Sequence, residues 1–389
     1  MAASVLIIGA GMAGLSAAKT LANSGLKVTI FDKGRVVGGR VATRTRDGLF
    51  NFGAQYIPST ALAQDSFMAL MMSRSVSNLV SGWGEKNSEG PVSKSTLQDM
   101  ATTSRGTATD FDYLKSFNGM NGFIFQPSMA AFPRALATDI STLGVTVSTS
   151  KQVTALSKSP PLSRWNVQFL NGSTRNAIDG TWPLNTVPPD NTAPCVETCF
   201  FDAVVLAIPS PQAIALLKEI SHPFCLHMGG SPSAAPVTWD PCWSVMLKMN
   251  TSPPNTDMIF KAGNIRWASC EESRKKFPPD PTSCSSWTLL ASPDFTRRHL
   301  ESTPVEVTRL LVSEFADRVK IPVEEVTFAR AHRWRYSFVT KALGVSHLWD
   351  PQGKLGVCGD WCVGSTVDAA VESGHAVALS VLRDMAVVR

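Results

Sequence analysis

"SVLIIGAGMAGLSAAKTLANSGLKVTIFDKG", Ser4 to Gly34, decides how this chain is read. Val5 to Ile8 is a short apolar run of the kind that forms a buried strand, and Gly9, Gly11 and Gly14 follow at G-x-G-x-x-G spacing. Leu15, Ala18, Leu21 and Ala22 then recur at helical period, and Gly25 stops the helix. A second strand, Lys27 to Phe31, ends on Asp32. Strand, glycine turn, helix, strand and acid in this order predict a dinucleotide-binding turn. Gly9 permits the tight turn, Gly11 lets a pyrophosphate approach the backbone, and Gly14 lets the helix pack on the strand. The helix N-terminus offers free N–H groups and a positive dipole end to phosphate. Asp32 lies where a carboxylate accepts ribose hydroxyls.

The continuation, "GRVVGGRVATRTRDGLFNFGAQYI" from Gly34 to Ile57, selects among dinucleotides. A plain NAD domain would run into another helix and strand. This chain instead makes a second flexible turn at Gly38 and Gly39, followed by Arg40, which reaches a pyrophosphate or stays a solvated loop charge. Arg44 is a second candidate for the same role. Gly53 and Ala54 allow backbone to lie close to a flavin, so FAD is the expected cofactor.

Composition sets the bounds around these motifs. The chain has 389 residues, enough for a large core and two domains, with 44% apolar and 17% charged residues as in an ordinary folded protein. Its net charge of +5 is small and dispersed, and no basic run is interleaved with aromatics, so nucleic acid is not expected as a partner. No uncharged apolar run reaches the ~18 residues of a spanning helix. Val5–Ala18 could pass for the apolar core of a signal peptide, but its glycines stand at turn spacing, and a cytoplasmic protein with no membrane partner is the expectation. Eight cysteines do not suggest a disulfide scaffold, and Cys195 and Cys199 in "CVETC" lack metal spacing.

Near the other end, "GVCGDWCVGSTVDAAVESG" (Gly356 to Gly374) is again strand, acid, loop and helix start. Together with acid, Gly-Gly-Arg and then G-A-Q-Y, it resembles the flavin amine oxidase superfamily, and within it renalase and its bacterial relatives. "QPSMAAFPRALA" (126–137), "FDAVVLAIPSPQAIALL" (201–217) and "AHRWRYSFVTKALG" (331–344) resemble further stretches of that family. Two features depart from it. Asn51 stands where members often carry Glu or Asp, and the insert from about Lys158 to Thr198 has no counterpart and reads as a surface loop, apart from "WNVQFL" (165–170), which alternates and reads as a strand.

The resemblance implies an α/β fold: a Rossmann-like FAD domain of the p-hydroxybenzoate hydroxylase type, assembled from the discontinuous segments 1–57, 119–212 and 345–389. Residues 58–118 and 213–344 would form an α+β substrate domain. Noncovalent FAD would be held by Gly9, Ala10, Gly11, Met12, Ala13, Gly14, Asp32, Lys33, Gly39, Arg40, Gly53, Ala54, Gln55 and Tyr56 from the first segment. Val153 would lie on the adenine side, and Gly359, Asp360 and Val367 would come from the last segment. Asp360 would hydrogen-bond the ribityl or pyrophosphate region. The helix from about Thr366 would aim its N-terminus at the flavin, where reduction places negative charge.

The activity implied is oxidation of 2- or 6-dihydro isomers of NAD(P) to NAD(P)+, with O2 reduced to H2O2. The partners are then a small dinucleotide substrate and O2. Two other classes compete: an oxidase or desaturase acting on an amine, porphyrin or carotenoid, and a flavoprotein with little turnover. Monoamine oxidases carry a cysteine that bonds the flavin before the closing motif, and residues 333–353 hold none.

No catalytic side chain is assigned, because hydride transfer to a flavin needs no protein acid or base. Tyr56, Trp243, Trp267, Trp287, Trp334 and Tyr336 are candidates to wall the pocket. Arg266 and Arg335, each beside a tryptophan, would meet a substrate phosphate or make surface salt bridges. His299 and His332 would meet a carboxamide or serve as structural residues.

Overall fold

A computed structural model describes residues 2–83, apart from scattered positions between 59 and 78, and then 122–159, 164–172, 196–229, 236–251, 258–272 and 285–385. Most of the 58–118 block, the centre of the 158–198 insert and Cys195 lie outside the described residues.

The first layer is a six-stranded sheet in the order Leu348–Asp350, Leu355–Val357, Ala203–Leu206, Ser4–Ile8, Lys27–Phe31, Thr146–Ser148. Its pairings are parallel, with Val5 opposite both Ala203 and Val28, except for the antiparallel Leu348–Asp350 edge. The central strand reads SVLII and is buried throughout, as a parallel strand covered on both faces must be. Its side chains alternate between two cores. Val5 and Ile7 pack with Leu15, Leu21, Phe132, Leu136 and Val377, beneath the helices Met12–Ala22, Ala131–Thr142 and Val367–Met385. Leu6 and Ile8 face the other way, against Trp165, Val167, Leu217 and Trp361.

That second face is covered by a three-stranded antiparallel sheet, Lys151–Ser159, Arg164–Asn171 and Val196–Phe201, and by the helix Ser210–Lys218. One of these strands, Arg164–Asn171, falls inside the 158–198 segment, where "WNVQFL" alternates as a strand should, and Val196–Phe201 begins at its end. Trp165, Val167 and Phe169 alternate into the core, so this part of the segment is covering layer.

A second body is a five-stranded antiparallel sheet in the order Met258–Ala262, Ile265–Cys270, Ser285–Ala291, Thr238–Met249, Val326–Lys341. The helices Pro293–Arg298 and Pro304–Val319 back it. Each has proline in its first turn and is capped by a hydroxyl, Ser292 accepting from the Phe295 N–H at 3.2 Å and Thr303 from the Glu306 N–H at 3.2 Å. Trp243, Val245, Leu247, Trp287 and Leu289 point toward these helices and pack on Leu311 and Phe315. Period-two alternation sends Met246 and Leu290 to the opposite face. The expectation that Trp243 and Trp287 wall a pocket is corrected: both sit on the helix side of their strands and are core residues.

Candidate active-site cleft

Between the two bodies runs one cleft of about 2360 Å³. Its nucleotide end is made by backbone. Gly9 turns with φ +112°, and a Cβ on Gly14 would fall 1.9 Å from the Gly9 carbonyl oxygen. A side chain on Gly11 would instead meet no protein atom within 4 Å and would stand in the open cleft. The helix Met12–Ala22 has no side-chain cap and no acid in its first turn, so its leading amides face the space beside Gly11. Asp32 is held at the end of its strand by amides, its two oxygens accepting from Ala10 N–H and Gly34 N–H, each at 2.6 Å. The Gly38–Gly39 loop folds back over the turn, with the Gly38 N–H donating to Ala10 O at 2.8 Å.

This cradle fits a dinucleotide such as FAD. Gly9, Gly11, Met12, Ala13, Asp32, Lys33, Gly39, Arg40, Gly53, Ala54, Gln55, Tyr56, Val153, Gly359, Asp360 and Val367 all line the cleft. Ala10 and Gly14 do not. They lie behind it, the first fully buried and the second pressed on the turn.

The acid at the last strand is placed differently from the expectation. The strand ends at Val357, and Asp360 opens a short helix, Asp360–Val363. Its carboxylate accepts both terminal nitrogens of Arg40, each at 2.6 Å, across 320 residues of chain. Arg40 also donates to Ser337 O at 3.2 Å and lies over the Trp239 ring. The two residues read separately as cofactor ligands are thus one bidentate pair that stitches the first, second and last pieces of the fold. Arg44 borders the cleft but is ion-paired to Asp47.

The helix Val367–Met385 starts where the sequence placed it, and Thr366, Val367 and Ala370 face the cleft. Thr366 Oγ accepts from the Ala369 N–H at 3.2 Å. Asp368 in the same turn faces elsewhere, and burial raises its carboxyl above the ordinary aspartate range.

The ring end of the cleft is made by side chains of the second sheet. Cys242, Trp267 and Leu290 form a small apolar cluster apart from the three main cores, with Tyr56, Trp334 and Phe338 against it. Tyr56 stacks on Trp267 at 5.7 Å between ring centres, and Phe52 on Trp334 at 5.4 Å. Burial pushes the Tyr56 phenol up to about 12, against the pull of the nearby Arg266 charge. His332 lies edge-on to Phe52 and Trp334, whereas His299 is in contact with Ser302 and Phe295, away from the cleft. Arg335 lines the mouth but forks onto Glu301 at 2.6 and 2.8 Å, the salt-bridge alternative for this residue.

Sequence reading missed Phe52, Met246, Leu290 and Phe338 as lining residues. Phe338 was accessible to it, since Trp334 and Phe338 stand four residues apart in one strand and both pack against the Cys242, Trp267 and Leu290 cluster. It also missed what Asn51 does. The backbone and side-chain amides of Asn51 both donate to the buried carboxylate of Glu271 at 2.8 Å, joining the two bodies beneath the cleft. Among the described residues no group of His, Cys, Asp and Glu has metal-binding geometry, and no helix is long and apolar enough to cross a membrane.

Residues 7–71 match the NAD(P)-binding Rossmann-like domain. L-amino acid oxidases of the snakes Crotalus durissus cumanensis and Naja atra are 50% identical over 56 residues and 49% over 57, which is 14% of this chain and 11% of theirs. The matched region is thus about a tenth of the length of these relatives. Whole-chain likeness is structural. Cyclohexylamine oxidase from Brevibacterium oxydans superposes with a TM-score of 0.62 at 12% identity, covering 99% of this chain and 100% of that one. Putrescine oxidase bound to putrescine gives 0.60 at 14% identity, covering 98% and 99%. An oxidoreductase from Methanosarcina mazei gives 0.60 at 13%, covering 96% and 99%. The chain is an α/β protein built on an NAD(P)-binding Rossmann-like domain, with a fold shared along nearly its whole length with these oxidoreductases.

Proposed function

We propose that the protein is an FAD-dependent oxidoreductase that holds its flavin without a covalent bond and oxidises 2- or 6-dihydro isomers of NAD(P) to NAD(P)+. The observation that carries this reading is the size of the cleft between the two bodies. At about 2360 Å³ it exceeds the roughly 300–1,000 Å³ of an ordinary small-molecule site, so it has room for a dinucleotide and a second ligand. Asp32 would hold the adenosine ribose, the amides beside Gly11 the pyrophosphate, and Val153 the adenine side. The N-terminus of the Val367–Met385 helix would favour negative charge at the flavin.

Bound FAD would supply a two-electron acceptor, the overall change being dihydro-NAD(P) + O2 + H+ → NAD(P)+ + H2O2. The chain's part is to bind and orient. Trp267, Tyr56 and Trp334 offer flat apolar surface for a ring, and no side chain has to remove a proton from a dihydronicotinamide. Charge at the ring end favours a phosphate-bearing substrate. Arg266, Arg330, Arg333 and Arg335 line it against Asp240 and Glu301, and both acids are engaged by arginines.

The second reading, oxidation of an amine, draws on the likeness to putrescine and cyclohexylamine oxidases. One experiment separates the two. The purified yellow protein is mixed without oxygen with 6-dihydro-NAD, with ordinary 4-dihydro-NADH and with a panel of primary amines, and flavin bleaching is followed. Fast bleaching by the 6-dihydro isomer, with H2O2 on readmitting air, is the expected result. Bleaching by an amine and by neither dinucleotide would establish the second reading.

A further inference from the structure

Two arginines of the ring-end wall stand beside tryptophans and meet different fates. Arg335 is bound in a fork to Glu301. Arg266 is half-buried, and none of the ion pairs formed by the described residues includes it. Its guanidinium carbon lies 4.4 Å from the centre of the Phe338 ring.

A backbone irregularity puts it there. The strand Ile265–Cys270 pairs Ile265 with Ala291 but Trp267 with Leu290, so the register slips at Arg266. Strict alternation would send Arg266 and Trp267 to opposite faces. Instead Ile265 and Ala268 pack in the helix-side core, and Arg266 and Trp267 both line the cleft. Bulges that re-aim a side chain in this way are common beside active sites. A guanidinium placed in an aromatic wall carries a desolvation cost that an incoming anion offsets.

We propose that Arg266 is the anion anchor of the substrate pocket, binding a carboxylate or phosphate group of the reductant whose ring rests against Trp267. Both groups present paired oxygens to the planar fork of an arginine. The proposal rests on the reading of this cleft as the site of an FAD oxidoreductase, and it names which cation selects the substrate.

Two matched pairs of probes test it on the purified holoprotein by titration calorimetry, a readout that needs no turnover. Nicotinate against nicotinamide isolates a ring carboxylate. Nicotinamide mononucleotide against nicotinamide riboside isolates a phosphate one sugar away. At least one pair is expected to favour the anion by roughly tenfold or more, the worth of a charge-assisted hydrogen bond. Arg266→Met abolishes that preference, and Arg266→Lys keeps part of it. The pair that discriminates tells carboxylate from phosphate. Bound FAD, read from the visible spectrum of each variant, reports an intact fold. Equal binding within both pairs, or a preference that survives Arg266→Met in flavin-loaded protein, overturns the anchor and leaves the FAD reading standing. A colourless protein that still shows the Arg266-dependent preference does the reverse.

Discussion

The two ends of the cleft are built by opposite means. At the nucleotide end the deciding feature is where side chains are missing: Gly9 at φ +112°, Gly14 pressed on a carbonyl, Gly11 open to the cleft. At the ring end the deciding feature is which side chains are present, brought by strands whose partners lie tens of residues and up to about a hundred away. Local backbone demands fix the first. Long-range register fixes the second. The two should therefore fail differently when altered.

The largest effect is expected where absence is structural. Gly14→Val would drive side-chain atoms into the Gly9 carbonyl, and soluble protein should be lost. The milder Gly14→Ala should lower Tm by roughly 10 °C or more, checked by calorimetry. A Gly14→Ala protein melting like the parent would break the account of this turn.

Next is the seam between the ends. Asp360 is only 5% exposed, and Arg40→Met leaves its carboxylate uncompensated. The apoprotein should lose about 3 kcal/mol in denaturant unfolding, and the double variant Arg40→Met/Asp360→Asn should recover more than half of that. Simple additivity of the two changes would mean that the pair is not coupled.

Gly11 contrasts with Gly14 within a single turn. Gly11→Val should leave apoprotein Tm within about 2 °C of the parent and weaken FAD binding roughly 100-fold, as overpacking a filled site does. Fluorescence titration with FAD measures it. Near-normal affinity would remove the pyrophosphate from this position.

The smallest effect concerns pH. Burial raises the Asp368 carboxyl above its ordinary 3.8, and it raises Glu372 too, with Asp368 adding to the latter. A raised carboxyl favours the protonated form in the folded state. Its stabilising contribution is complete below the unfolded value and is lost as pH rises through the folded one. The part of Tm that Asp368 contributes should therefore fall with rising pH above 3.8, so Asp368→Asn should change the profile in the upward direction relative to the parent and gain roughly 2 °C at neutral pH. A steeper pH profile in the variant would contradict the sign.

What was legible in the sequence follows the same division. Gly9, Gly11, Gly14 and Asp32 announce themselves because strand, turn, helix and acid are contiguous. The closing segment around Asp360 and Val367 could be read from its likeness to the opening one. Trp287 was misplaced because an aromatic in an alternating strand shows its period but not which face the sheet buries. Glu271 gave no signal, since its partner Asn51 lies 220 residues away. The fork of Arg335 on Glu301 and the bulge at Arg266 exist only once strands are paired, and no local pattern encodes either.

The packing of the Val367–Met385 helix on the Met12–Ala22 helix sets an order of events in synthesis. Ser16 Oγ donates to Val371 O across 355 residues, and a Cβ at Gly374 would fall 2.0 Å from the Ala13 carbonyl oxygen. The glycine turn leaves the ribosome well before the helix that seats on it, whose Val371 lies 355 residues further along the chain than Ser16. A nascent chain therefore presents an incomplete cleft until that helix has emerged. Closure of the cleft waits for that helix, and a stop codon shortly before residue 355 would leave a chain with its glycine turn intact and nothing seated on it.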